Sequence, residues 1–181
     1  LNTKTFADTW IARLFFRIMS GVMESRIRYR FFGPARILQR AGMHLGDTVL
    51  EVGAGTGYFT LPAARILGDR GRLIAMDVLP ASIEILSRKV RAANVENVTV
   101  LRADALNTGL GAESVDTVLM FGVVPAPMLP LARLLPEMHR ILRPGGIMAL
   151  WPPTWVNGSI RRSGLFTDAG RRDGVSNFRR S

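Results

Sequence analysis

Thr48-Val-Leu-Glu-Val-Gly-Ala-Gly-Thr-Gly-Tyr58 is the stretch that decides the fold of this 181-residue chain. Thr48 to Val52 is a short, largely apolar and β-branched run, the signature of a buried strand. Gly53 to Gly57 form a glycine-rich turn, and a helix is expected from about Tyr58 to Leu67, stopped by Gly68. Glycines let a backbone approach a ligand closely, and a helix start presents free N–H groups and the positive end of the helix dipole.

Outward from this unit the pattern repeats. A second strand is expected over Arg72–Asp77, and Pro80 suits the first turn of a helix whose apolar residues Ile83, Leu86 and Val90 recur at i, i+3 and i+7. Asn97–Leu101 predicts a third strand ending near Asp104, and Asp116–Phe121 a fourth. A helix from about Leu129 to Leu142 places Leu131, Leu134, Leu135, Met138 and Leu142 on one face, after which Pro144-Gly145-Gly146 turns into a fifth strand, Ile147–Trp151. A short helix is expected near Ser159–Ser163. Leu165–Thr167 and Val175–Phe178 then flank a turn over Gly170–Gly174, too short a connection for a crossover helix and hence an antiparallel hairpin. The expected fold is α/β: a doubly wound, mostly parallel seven-stranded sheet with helices on both faces and a C-terminal antiparallel hairpin.

Residues 34–181 read as one domain preceded by a basic amphipathic helical segment, 1–33, in which Trp10, Leu14, Ile18 and Val22 recur every four residues. Pro34 is expected to open the first helix of the domain, through Leu38 to Arg40. With 48% hydrophobic and 21% charged residues the composition is that of a folded globular chain. Cysteine is absent and histidine occurs only at His44 and His139, which argues against a thiolate nucleophile or a metal site. No segment reads as a membrane span or a signal peptide, so the expected location is the cytoplasm, with a place at the membrane periphery as the alternative.

The charge is unevenly spread. Residues 1–41 carry eight Lys/Arg against two acids and residues 151–181 six against two, whereas residues 42–150 balance ten against ten; the net +10 lies wholly in the flanks. Basic flanks suit an anionic substrate, RNA or an anionic membrane surface. Solubility in an arginine-biased proteome is the alternative, since 22 of the 24 basic residues are Arg.

A dinucleotide-binding turn would read G-x-G-x-x-G, but the third glycine here is Gly57 and position 58 is Tyr. Glu51, two residues before the first glycine, disfavours a phosphate and favours a ligand with an ammonium group. S-adenosylmethionine carries an ammonium and a sulfonium and no phosphate. Asp77, ending the second strand 20 residues after Gly57, stands where a carboxylate accepts ribose hydroxyls in such folds. Asp104, past the third strand, is placed to accept from an adenine amino group. Three acids at the carboxyl ends of adjacent strands line the crevice where open α/β sheets bind ligands.

With these pieces, Val49–Gly57, Asp77, Asp104, the strand from Asp116, and Glu137-Met-His-Arg-Ile-Leu-Arg-Pro-Gly-Gly146, the chain resembles the class I, Rossmann-like S-adenosylmethionine-dependent methyltransferases over about residues 35–151. Within them it is most similar to the group that includes ubiquinone/menaquinone C-methyltransferases and phospholipid N-methyltransferases. The resemblance implies a cofactor site made by Glu51, Gly53, Ala54, Gly55, Thr56, Gly57, Tyr58, Asp77, Val78, Asp104, Ala105, Phe121 and Gly122. Glu51 would lie near the methionine amino group, Asp77 at the ribose, Asp104 and Ala105 at the adenine, and Phe121 and Gly122 toward the methyl group. The product would be S-adenosylhomocysteine. Phe121-Gly-Val-Val-Pro-Ala-Pro127 lacks the Asn/Asp-Pro-Pro-aromatic motif with which amino-methylating nucleic-acid enzymes grip a flipped base, and lacks the histidine some small-molecule relatives place there.

Methyl transfer from a sulfonium is an in-line displacement in which a protein supplies mainly proximity and electrostatic fit, so no catalytic residue is named. His139, within a helix, is expected to be structural, and His44, ahead of the first strand, to be a surface loop residue. Tyr29 is a candidate on the acceptor side. Trp10, Phe15, Phe16, Met19 and Met23 suit an apolar acceptor pocket, a lipid surface, or ordinary core or homodimer packing. The expected acceptor is a small molecule or lipid-like compound. An RNA or protein methyltransferase using the basic flanks, a non-catalytic S-adenosylmethionine-binding partner subunit, and a nucleotide-dependent oxidoreductase are the alternatives.

Overall fold

The computed structural model describes residues 33–123, 129–152 and 155–181. The segment expected to be helical over 1–33 lies, but for Gly33, outside the described residues, as do Tyr29 and the apolar positions Trp10, Phe15, Phe16, Met19 and Met23.

Seven strands and five helices follow one another as α1 (Pro34–Leu38), β1 (Thr48–Val52), α2 (Thr60–Leu67), β2 (Arg72–Asp77), α3 (Pro80–Ala92), β3 (Val98–Arg102), β4 (Val115–Phe121), α4 (Leu131–Ile141), β5 (Leu142–Trp151), α5 (Asn157–Arg162), β6 (Phe166–Arg172) and β7 (Val175–Arg180) among the described residues. They form one sheet in the order β3-β2-β1-β4-β5-β7-β6. The pairs β1–β2, β1–β4, β2–β3 and β4–β5 are parallel, and β7 alone runs against its neighbours β5 and β6. The expected α/β fold with its terminal antiparallel hairpin is what the chain adopts.

Alternation along the strands assigns the two faces. Leu50, Val52, Met76, Val118, Met120, Met148 and Leu150 pack with Leu134, Met138, Ile141 and Ile160 of α4 and α5. Val49, Leu73, Leu119 and Ala149 pack with Ile37, Leu38, Ala63 and Leu67 of α1 and α2. Ala75 packs with Leu86 and Val90 of α3 on that second face. Burial on both sides is why these strands read as apolar runs. The chain winds outward from β1 to β3 and then returns to β4 on the other side of β1. The carboxyl ends of β1 and β4 therefore diverge around a crevice, the place where such sheets bind ligands.

Two local details differ from the sequence expectation. Leu142 begins β5 instead of ending α4, and Pro144-Gly145-Gly146 lies inside the strand: pairing passes from Val115↔Leu142 to Thr117↔Ile147 with a register shift. Gly146 is needed in that bulge, because a Cβ there would stand 2.9 Å from the carbonyl oxygens of Asp116 and Arg143. The terminal turn is the pair Asp173-Gly174, with φ of 45° and 85°, rather than the five residues from Gly170. Two positive φ values give the turn twist that suits a tight hairpin. Gly170, at φ 98°, instead sits where β6 gains a residue on β7, between Asp168↔Phe178 and Arg171↔Ser176. Between β3 and β4, where no helix was expected, residues 103–114 connect the strands without one.

Candidate functional site

The glycine turn after β1 is held from both sides. Gly53, Gly55 and Gly57 have φ of 68°, 56° and 91°. A Cβ on Gly53 would stand 2.6 Å from Val123 Cγ2, and one on Gly57 2.6 Å from Leu86 Cδ1. Both positions therefore exclude a side chain by space as well as by backbone conformation. Ala54 and Thr56 are buried beneath the turn, and the Ala54 N–H donates to the Met76 carbonyl at 2.9 Å. On α3, Lys89 donates to the Thr56 carbonyl at 3.0 Å.

Asp77, at the end of β2, clasps this turn. One carboxyl oxygen accepts the Gly55 N–H and the other the Leu79 N–H, each at 2.8 Å. Val78 follows it half-buried, its carbonyl 3.4 Å from Arg102 Nε. Glu51 lies deeper, 3% exposed, where it accepts the Thr60 hydroxyl at 2.6 Å. Burial pushes the Glu51 carboxyl up from 4.5 to about 8; the Thr60 bond opposes this and the neighbouring Asp77 carboxylate adds to it. Burial raises the Asp77 carboxyl as well, against the lowering effect of its backbone donors. Two acids costly to ionise, side by side at adjacent strand ends, favour a ligand that carries positive charge and hydrogen-bond donors.

Asp104 completes the row two residues past β3. It is buried, accepts the Leu106 N–H at 2.9 Å, and through its carbonyl accepts that of Asn107 at 2.9 Å. Ala105 beside it is buried too. The helix-free connection that carries both is tied to α4. Glu137 accepts the Thr108 N–H at 2.9 Å and its hydroxyl at 2.7 Å, and takes two bonds from Arg140 at 2.8 Å. Arg140 also donates to the Leu110 carbonyl at 2.8 Å. Hydrogen bonding from Arg140, with the Thr108 donors, holds the Glu137 carboxyl down at about 2.

At the end of β4 the Phe121 ring is buried against Phe59 at 5.0 Å and Trp151 at 6.4 Å between centroids, and Tyr58 meets Phe59 at 4.8 Å. Phe121 thus offers the crevice its backbone. Gly122 beside it is exposed at φ 73°, with open space where a Cβ would stand, and donates to the Trp151 carbonyl at 2.7 Å. The residues expected from β1 to β4 accordingly gather at one end of the sheet. Sequence reasoning missed the Thr108–Glu137–Arg140 tie and the contribution of Phe59 and Trp151; the Glu137/Arg140 spacing of i, i+3 was the available signal for the first.

His139 packs edge-on to Phe166 at 5.8 Å and His44 stands in the surface loop before β1, 3.5 Å from Asp47, both as expected. A groove of about 920 Å³ opens at the other, amino end of the sheet, lined by Arg65, Asp69, Arg72, Asn94, Glu96 and Asn97 among others. Its arginines and acids cancel, so it selects neither sign of charge. The buried acids mark the carboxyl end instead.

Residues 49–146 match the model of a protein family described as "Methyltransferase domain". Demethylmenaquinone methyltransferase of Geobacillus stearothermophilus is 29% identical over 112 residues, 61% of this chain and 47% of that protein. Its namesake in Staphylococcus aureus (strain JH9) is 31% identical over 114 residues, 62% and 46% respectively. The chain thus matches about half the length of these relatives. Among solved structures, a SAM dependent methyltransferase from Aquifex aeolicus superposes with a TM-score of 0.79 at 23% identity, over 89% of this chain and 96% of that one. Geranyl diphosphate C-methyltransferase from Streptomyces coelicolor A3(2), in complex with Mg2+, geranyl diphosphate and S-adenosyl-L-homocysteine, gives 0.65 at 16% identity, over 76% and 61%. At these identities the two structures show a shared fold.

Proposed function

The chain belongs to the Methyltransferase domain family, and from that premise we propose that it transfers a methyl group from S-adenosylmethionine to a small-molecule or lipid-like acceptor. What carries this proposal is the pair of buried acids, Glu51 and Asp77, on either side of the glycine turn at the sheet's crevice. The donor set fits the cofactor: an ammonium beside Glu51 would hold that carboxyl ionised, and ribose hydroxyls can use the lone pairs Asp77 has left.

Bound there, S-adenosylmethionine would supply a sulfonium-activated methyl group, which an acceptor's electron pair would take as the C–S bond breaks and its electrons pass to sulfur, giving S-adenosylhomocysteine. The work left to the chain is alignment. Asp77 holds the turn of Gly53 to Tyr58 and the Val78 backbone in one arrangement. Asp104 and Ala105, on a connection that Glu137 ties to α4 through Thr108, would border the adenine. The open backbone at Phe121 and Gly122 admits the acceptor. Because the leaving group needs no proton, a general base is required only for an acceptor that arrives protonated.

The acceptor reading is supported by the chemistry of the crevice rim. In sequence, no charged residue occurs from Gly122 to Ala132, after β4, or from Pro152 to Ile160, after β5. Trp151 and Val123 are half-buried beside Gly122 and Gly53. Such a rim suits an apolar acceptor better than a phosphate backbone, and relatives named for demethylmenaquinone point the same way. Calorimetric titration with S-adenosylmethionine and S-adenosylhomocysteine tests the cofactor, and transfer of labelled methyl to a lipid extract against total RNA or protein tests the acceptor. Absence of cofactor binding by folded chain would overturn the proposal; label entering RNA or protein would move the acceptor to that class. Binding without any transfer would favour a non-catalytic partner subunit.

A further inference from the structure

We propose that the carboxyl-end rim of the sheet, on the side of β6 and α5, docks on an anionic lipid surface, which, given the lipid-like acceptor proposed above, would bring the crevice to its substrate. Three observations converge on this rim. The first is register. Arg171 pairs with Ser176 and Arg172 with Val175, while Ser176 pairs with Leu150, so both arginines lie level with the carboxyl end of β5. They stand four strand spacings from β1, roughly 19 Å at the usual strand separation. Both are exposed, and neither has a carboxylate partner among the described residues.

The second is the neighbourhood of the hairpin tip. Asp173 is the one acid in the tip sequence Arg171–Gly174, and it is taken by Arg40 at 3.0 Å. Arg36 stands 3.9 Å from the same carboxylate with its side chain 78% exposed, so the tip keeps an excess of positive charge. The third is Trp155. It follows β5 by four residues and is 78% exposed, within the charge-free run that precedes α5. An exposed indole just past the carboxyl end of β5, at the end of the sheet where the exposed guanidinium groups of Arg171 and Arg172 also lie, is the kind of pairing found at the headgroup level of bilayers. A nucleic-acid platform would instead interleave aromatic rings with the arginines, whereas Arg171 and Arg172 are followed by Asp173 and Gly174 and preceded by Ala169 and Gly170.

Charges on an edge strand also discourage edge-to-edge pairing, and the test separates that role from docking. The Arg171→Glu/Arg172→Glu variant keeps the edge charged and reverses its sign. The full chain is floated with phosphatidylcholine vesicles with or without phosphatidylglycerol. Native protein should partition to the phosphatidylglycerol vesicles and not to phosphatidylcholine alone. Each arginine near an anionic surface contributes about fivefold to partitioning, so the double variant should lose about 25-fold or more. Trp155→Ser should lose several-fold, and both variants should bind S-adenosylmethionine as the native chain does. Equal partitioning of native and variant chains, no preference for the anionic vesicles, or an RNA homopolymer outcompeting the vesicles would each overturn the docking. Failure of the native chain to bind S-adenosylmethionine is a separate result that strikes the function proposed above, because flotation reads the surface alone.

Discussion

Replacing Glu51 by glutamine should make the protein more stable in mild alkali. Glu51 is 3% exposed, and burial carries its carboxyl from 4.5 to about 8. Between those values the unfolded chain has released the proton while the folded chain retains it. The folded state then binds more protons, so unfolding free energy declines as pH rises. The stability is fully present below about pH 4.5 and is lost as pH climbs through about 8. At 1.36 kcal/mol per pH unit the loss approaches 5 kcal/mol as an upper limit, and water reaching the site brings it to about 2–4 kcal/mol. Glutamine cannot ionise, yet its carbonyl oxygen still accepts the Thr60 hydroxyl that Glu51 accepts at 2.6 Å. Urea unfolding near pH 5 and near pH 8 should therefore show a steep decline for the native chain and a shallower one for Glu51→Gln. Asp77, raised in the same direction, leaves the residual slope. Native and variant stabilities that fall in parallel would refute the reasoning. The same acid predicts that S-adenosylmethionine binding near neutral pH releases a proton, visible as a dependence of the calorimetric heat on buffer ionisation enthalpy and diminished in the variant.

Asp77→Ala should weaken S-adenosylhomocysteine binding about ten- to a hundredfold by calorimetry, through lost charge-assisted bonds. Since Asp77 also accepts the Gly55 and Leu79 N–H groups, it should lower unfolding stability too, with Asp77→Asn milder on that count. Gly57→Ala, at φ 91° with its Cβ 2.6 Å from the buried Leu86, should cost about 1–3 kcal/mol in chemical denaturation. Glu137→Gln should cost about 1.5–3 kcal/mol near neutrality. Because the Glu137 carboxyl is held at about 2, its contribution is present above about pH 4.5 and lost as pH falls toward 2, so the variant's acid-unfolding limb should be flatter.

Where neighbours in sequence suffice, the fold was legible. Thr48–Val52 and Arg72–Asp77 are strands over the expected residues because their ends are marked by Gly53, Gly71 and Asp77. Gly68, at φ 65°, ends α2 where a helix stop was expected. Pro144-Gly145-Gly146 misled, because a turn and a bulge use the same residues and only the adjacent Asp116 carbonyl decides between them. The tight turn at Asp173-Gly174 was hidden by glycines at both 170 and 174, either of which suits a reversal. In the site, Glu51, Asp77 and Asp104 could be located because strand ends place them. The bond from Thr108 to Glu137 spans 29 residues and depends on a connection without a helix, which periodicity does not report. Nor does a pattern of apolar residues say that the Phe121 ring turns into the core while Gly122 is left open.

The strand order β5-β7-β6 has a consequence for synthesis. β6 leaves the ribosome before β7, yet β7 is the strand it pairs with, and until residues 175–180 follow, β5 also has a bare edge. Val175 and Phe178, both 0% exposed once folded, seal one face each of that gap. The nascent chain therefore passes through a stage in which a long apolar strand and an arginine-rich ribbon both lack partners, the condition under which chaperones bind and chains misassemble. A stop or frameshift ahead of Val175 would hold every molecule at that stage, leaving the crevice residues intact in sequence but carried on a sheet that cannot close.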